Sequence, residues 1–243
     1  MEHPRATASD PRYPGFPPEV PPRVPPEVPP PWQPPRPAPS PPFVPVPEPA
    51  PSPSEDWRSS VYGDLMARRT IVLDGPLDTE RASLAAAQLL ALDGEGDRRR
   101  EDERSVPRPI TLMINSPGGP LEAASAVLDT IDLVSDPVDT TCLGQATGTA
   151  AVVLAAGTGR RRTGPSSLVR LRLPEIALDG RAGHLAEEAA HLGRLHDALI
   201  DRLAAATGQE RRLVARDVDA GRLLTAEDAV AYGLVDEITA RRG

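Results

Sequence analysis

The distribution of proline limits what this chain can fold into more than any other feature of its sequence. Of 31 prolines, 23 fall between Pro4 and Pro53, and only eight occur after them. Repeats such as Pro21-Pro22-Arg23-Val24-Pro25-Pro26-Glu27-Val28-Pro29-Pro30-Pro31 restrict φ, delete backbone donors and offer too little apolar surface to offset the entropy of ordering. Residues 1–54 are therefore expected to be a disordered arm that favours polyproline II, about 3.1 Å per residue where extended. Four of the seven aromatic residues, Tyr13, Phe16, Trp32 and Phe43, lie in the arm. They suit a ligand for an aromatic-lined groove, although most arms of this composition are tails without a specific partner.

Residues 55–243 have ordinary globular composition and are long enough for one domain with a full core. No run reaches the 18 or so apolar residues of a membrane span, and prolines stand where a secretory signal would be apolar, so a cytoplasmic protein without membrane contact is expected. The single cysteine, Cys142, excludes an internal disulfide and a Cys-rich zinc site, and reads as a core residue. A net charge of -8 argues against nucleic acid, whose affinity comes from clustered cations. Arg160, Arg161 and Arg162 are the one internal basic run and read as a solvated turn. All 27 basic residues are arginine, as GC-rich codon usage produces; the lack of lysine removes Schiff-base and Ser/Lys chemistry.

Residues 70–73 form a β-branched run ended by Gly75-Pro76. Asp78 can then cap a helix with Leu84, Ala85, Leu89 and Leu92 on its buried side and Gly94 as its stop. Residues 95–108 read as a charged surface loop, residues 110–114 as a buried strand, and residues 121–134 as a helix. A third strand over residues 140–143 leads to a wholly apolar helix, residues 150–156, that must be buried on every side. Residues 167–173 suggest a fourth strand and residues 184–207 a long amphipathic helix. Thr225 with Asp228 makes a capping box for a last helix ending at Gly233. Alternating strands and helices imply an α/β domain with a parallel sheet and right-handed crossovers.

Two strand-to-helix junctions, at Gly118-Gly119 and at Gly148-Thr149, direct backbone N–H groups toward a helix start. Two converging donors suit a tetrahedral oxyanion; glycine pairs in such places are also simply tight turns.

Five blocks in order carry a resemblance that covers residues 57–242: Ile114-Asn115-Ser116-Pro117-Gly118-Gly119, Cys142-Leu143-Gly144-Gln145-Ala146, Leu154-Ala155-Ala156-Gly157, Thr207-Gly208-Gln209, and Ala226-Glu227-Asp228-Ala229-Val230-Ala231-Tyr232-Gly233-Leu234-Val235-Asp236. Together they resemble the Clp protease proteolytic subunit. The resemblance implies a crotonase-like βαβ spiral with a long handle helix, stacked as two heptameric rings around serine peptidase sites and fed by an ATP-driven unfoldase. The position implied for the nucleophile holds Gly148, that for the histidine base holds Arg172, and that for the orienting aspartate holds Gly221. Glycine cannot attack a carbonyl, arginine cannot accept a proton at neutral pH, and a second glycine cannot orient an imidazole. In subtilisin the loss of the triad costs on the order of a millionfold in kcat, roughly 8 kcal/mol of transition-state stabilisation. The backbone N–H groups implied as the oxyanion hole, those of Gly119 and Thr149, cannot recover that.

Other departures bear on partners. The arginine that the family pairs across rings falls on Ala220, and the docking pocket for the unfoldase, aromatic in the family, falls on Thr111, Met113 and Leu133. Loss of those rings should weaken docking. Thr147 and Thr149 flank Gly148 but need a base, and the histidines are His3 in the arm and His184, His191 and His196 on the long helix. His184, Glu188 and His191 share a face that reads as solvated surface, so neither metal nor cofactor is expected. Asp217 and Asp219 read as exposed turn residues. The expected function is an inactive subunit that assembles with active Clp proteolytic subunits in a ring. The alternatives are an active serine endopeptidase subunit, a crotonase-like acyl-CoA enzyme that stabilises an enolate with the two N–H donors, and a free scaffold.

Overall fold

The computed structural model describes residues 53–100, 108–174 and 182–240. The predicted disordered arm lies outside the described residues except for Pro53 and Ser54, which open a helix that the sequence reading did not anticipate, α1 (Pro53–Ala67). The elements that follow are β1 (Thr70–Asp74), α2 (Thr79–Arg100), β2 (Ile110–Ser116), α3 (Leu121–Leu133), β3 (Val138–Thr147), α4 (Thr149–Ala155), β4 (Arg161–Thr163), β5 (Leu168–Arg170), α5 (Ala182–Thr207), α6 (Arg211–Asp219), β6 (Leu223–Leu224), α7 (Ala226–Tyr232) and β7 (Glu237–Ile238). The predicted α/β class holds. One sheet runs β1-β2-β3-β4-β7, and every pair along that path is parallel. Near its end β3 leaves β4 and pairs with β5, and β6 adds to β5 as the antiparallel exception.

Burial explains the order. Ile110, Leu112 and Ile114 of β2 are fully buried on one face, with the less buried Thr111 and Met113 on the other. α4 is buried at all seven positions, as its apolar run Ala150–Ala155 requires. Cys142 is also fully buried, and burial pushes its thiol pKa up. α7 carries the anticipated capping box, with the Asp228 N–H donating to Thr225 Oγ1 and the Thr225 N–H donating to Asp228 Oδ2, and it ends at Gly233 in the left-handed region.

Several expectations need correction. Asp78 does cap α2, accepting from the Arg81 N–H at 2.8 Å, but Gly94 does not stop the helix, which continues to Arg100; a helix already packed through Leu89 and Leu92 tolerates the roughly 1 kcal/mol of a glycine. Of the predicted loop, residues 95–100 are helical, and residues 101–107 lie outside the described residues. Leu84 faces solvent at 58% exposure, and Ala82 takes the buried position instead. The third strand is ten residues long, not four, whereas the strand expected over residues 167–173 narrows to Leu168–Arg170. Of the basic run only Arg160 is exposed and outside a strand. Arg161 and Arg162 lie in β4, where Arg161 pairs with Asp236, and Arg162 with Asp139 and Glu237.

Long-range polar contacts fix the far end of the sheet. Arg69, at φ 58°, is 7% exposed; its guanidinium donates to Leu92 O at 2.9 Å and to Asp136 Oδ2 at 2.7 Å. Asp93 accepts from the N–H groups of Ser135 and Asp136. The segment that follows α3, the middle of α2 and the residue that precedes β1 are thereby tied together.

Candidate active site

The site forms where the C-terminal ends of β2 and β3 meet β5, as ligand sites do in open parallel sheets. After β2, Ser116 Oγ accepts from the Gly118 N–H at 3.1 Å, holding the turn that starts α3. After β3, Gly148 takes φ 61° and ψ -129°, a conformation accessible to glycine and strained for any L side chain. Its N–H donates to Arg170 O at 3.0 Å, so β5 runs directly past the elbow. A Cβ at Gly148 would lie 2.9 Å from Arg172 O, and one at Gly221 would lie 3.7 Å from Arg172 Cδ. Gly148, Arg172 and Gly221, more than 70 residues apart along the chain at the extremes, are thus neighbours in space.

The two glycine turns are stitched to each other by the threonines that flank Gly148. Thr149 Oγ1 accepts from the Gly119 N–H at 2.9 Å and donates to Gly119 O at 3.0 Å, and Thr147 Oγ1 donates to Pro117 O at 2.8 Å. Both hydroxyls are committed to backbone carbonyls. The Gly119 N–H, one of the two predicted donors, is occupied by a side chain, while Thr149 supplies its own N–H from the first turn of α4, where amides have no intrahelical acceptor. Beside these turns is a cavity of about 280 Å³ lined by the glycines, the two threonines, Arg170, Arg172, Leu173 and Pro174. A larger one of about 660 Å³ adjoins it through the same arginines and reaches His196, Asp197 and Gly221.

A family model described as Clp protease matches residues 53–242, well over half of the chain. The chain belongs to the Clp protease family. The mixed α/β domain, with its parallel sheet and long α5, has the architecture expected of a Clp protease domain.

Within that Clp protease domain, one of the two acidic residues near Gly221 in sequence differs from expectation. Asp217 is not an exposed turn residue: it lies in α6 at 5% exposure, accepting from Arg222 Nη1 at 2.7 Å and Arg216 Nη2 at 3.3 Å. Burial pushes its carboxyl upward, but the two guanidinium groups prevail and hold it below the usual carboxylate value. Arg222 in turn lies 5.1 Å from the Tyr232 ring centroid, and burial followed by the Asp217 charge pushes the Tyr232 hydroxyl up to about 12. Asp217 is thus spent on structure. Asp219 is exposed, as read, and lines the larger cavity.

Thr111 and Met113 share the less buried face of β2, whereas Leu133, at the end of α3, is 71% exposed. His191 is exposed, and among the described residues no group of three potential metal ligands comes together. Among those residues no helix is long and apolar enough to cross a membrane. Sequence reasoning weighed Thr149 only as a nucleophile without a base and missed both its bond to Gly119 and the part played by Arg170. The only available signal for Thr149 was a polar residue at the head of a helix otherwise made of Ala, Val and Leu; for Arg170 it was the alternation Leu168, Arg170, Arg172.

Proposed function

We propose that this chain is a Clp proteolytic subunit without peptidase chemistry that acts as a structural or regulatory member of a Clp peptidase ring. The observation that carries the reading is Gly148: the residue at the strained elbow between β3 and α4 has no side chain, and its neighbours across the cleft are Arg172 and Gly221. On this reading Gly148 stands for the nucleophile, Arg172 for the base and Gly221 for the orienting acid. No atom there can attack a carbonyl, and none can take up the proton. The flanking threonines do not substitute, since their protons are already donated to Pro117 O and Gly119 O and no imidazole adjoins them among the described residues.

The oxyanion hole proposed from Gly119 and Thr149 is also weakened. A developing negative charge would have to displace Thr149 Oγ1 to gain the Gly119 N–H. That counts equally against an acyl-CoA enzyme, which would need the same pair of donors for an enolate.

The partners we propose are active Clp proteolytic subunits, in the cytoplasm, with docking to an ATP-driven unfoldase weakened by Thr111, Met113 and Leu133. Ala220, lacking a guanidinium, removes one contact proposed between rings. Native mass spectrometry of the chain alone and coexpressed with an intact paralogue tests this, together with a fluorophosphonate probe. Mixed rings whose label falls only on the paralogue are expected. A covalent adduct on any hydroxyl of residues 55–243 overturns the inactive reading, and monomers in both samples overturn the ring assignment.

A further inference from the structure

We propose that the cleft beside Gly148 binds the carboxylate terminus of a short peptide, received by Arg170 and Arg172. This names a ligand for the same site and rests on its being free of peptidase chemistry. The placement follows from β5 and its continuation. Val169, Leu171 and Leu173 are buried, while Leu168, Arg170 and Arg172 alternate with them on the open face, which spaces the two arginines about 7 Å apart along an extended chain. Among the described residues that line the smaller cavity these two arginines are the only charged ones, against a floor of glycine backbone. A chain of net charge -8 has no general excess of cations to explain such a pocket.

Arg170 is half-buried, and among the described residues its guanidinium makes no hydrogen bond or ion pair. The larger cavity adds His196, Asp197 and Asp219; Asp197 is already engaged by Arg211 at 2.9 Å, and Asp219 lies exposed at its edge. A guanidinium fork matches a carboxylate in plane and can donate twice, a geometry that ammonium does not offer. Leu173 and Pro174 wall both cavities and supply apolar contact for the residue that carries the carboxylate. A terminal residue fits the smaller space and the preceding residues the larger.

The test is fluorescence anisotropy with the full chain and a labelled tetrapeptide ending in leucine, as the free acid and as the carboxamide. The free acid is expected to bind at least about tenfold more tightly, as one charge-assisted contact supplies, and Arg170→Gln is expected to abolish the difference. Equal affinities, no binding of either peptide, or a preference that survives in both Arg170→Gln and Arg172→Gln overturns the proposal. So does displacement of the peptide by equimolar acetate or inorganic phosphate, which would mean that the site reads a bare anion. Circular dichroism of each variant shows whether it is folded, and Arg172→Gln serves as the decisive variant if Arg170→Gln is not. Mass spectrometry of the peptide after incubation separates the two readings: hydrolysis overturns the inactive subunit, while the carboxylate preference is scored on the binding curves alone.

Discussion

Placing a serine at Gly148 should harm the protein without giving it a reactive nucleophile. At φ 61° and ψ -129° a residue with a Cβ carries about 1–3 kcal/mol of backbone strain. The new Cβ would also sit 2.9 Å from Arg172 O, closer than such contacts normally come, and that oxygen belongs to the backbone of the segment continuing β5. Against this, losing a glycine restricts the unfolded chain and returns about 0.4–1 kcal/mol. The net is about 2 kcal/mol of destabilisation, which for a domain of this size lowers Tm by about 4–8 °C. Scanning calorimetry of Gly148→Ser beside the native chain measures the first part, and labelling with a fluorophosphonate the second. The serine is expected to remain unlabelled, because the side chain beside it is a permanently charged arginine. A Tm equal to or above that of the native chain refutes the strain, and stoichiometric labelling refutes the reasoning about the missing base.

Arg69→Met should be far more disruptive than loss of any exposed arginine. It removes the guanidinium that pairs with Asp136, whose side chain is 2% exposed, and breaking a pair buried to that degree costs about 3–5 kcal/mol, against about 1 kcal/mol or less for the exposed pair of Arg211 with Asp197; urea unfolding of Arg69→Met and Arg211→Met compares them, and equal midpoints would refute it. Asp217 predicts the acid limb of stability. Its folded pKa lies below the unfolded value, so its contribution is fully present above about pH 4, the ordinary carboxylate value, and is lost as pH falls through the folded value. Asp217→Asn should be less stable at neutral pH and lose less on acidification below about pH 4; parallel stability curves for the two proteins would count against this.

Much of the fold was legible because it is written in short-range patterns. The β-branched run at β1, the apolar alternation of β2, the apolar run of α4 after Thr149 and the Thr225–Asp228 capping box each follow from residues within a turn or two of one another. The misses have physical causes too. Gly94 is a helix breaker by propensity, but packing of α2 on its neighbours outweighs one unfavourable residue. Arg161 and Arg162 look solvated until their partners are known, and those partners, Asp139, Asp236 and Glu237, lie about 20 and 75 residues away in sequence. Asp217 was misread for the same reason: nothing local announces that it is buried under Arg222.

Residue identity by itself settled which atoms are present: no lysine anywhere in the chain, a glycine at 148 and another at 221, and an arginine at 172. Conformation and convergence were decided in three dimensions. Only the folded chain puts Gly148 at positive φ against Arg172 O, commits the Thr149 hydroxyl to Gly119, and turns Arg170 and Arg172 onto one open face. The physical reason is range. Composition and periodicity report what a residue can do beside its neighbours in the chain, whereas the cleft is assembled by contacts between residues far apart in sequence, which exist only once the sheet has brought the ends of β2, β3 and β5 together.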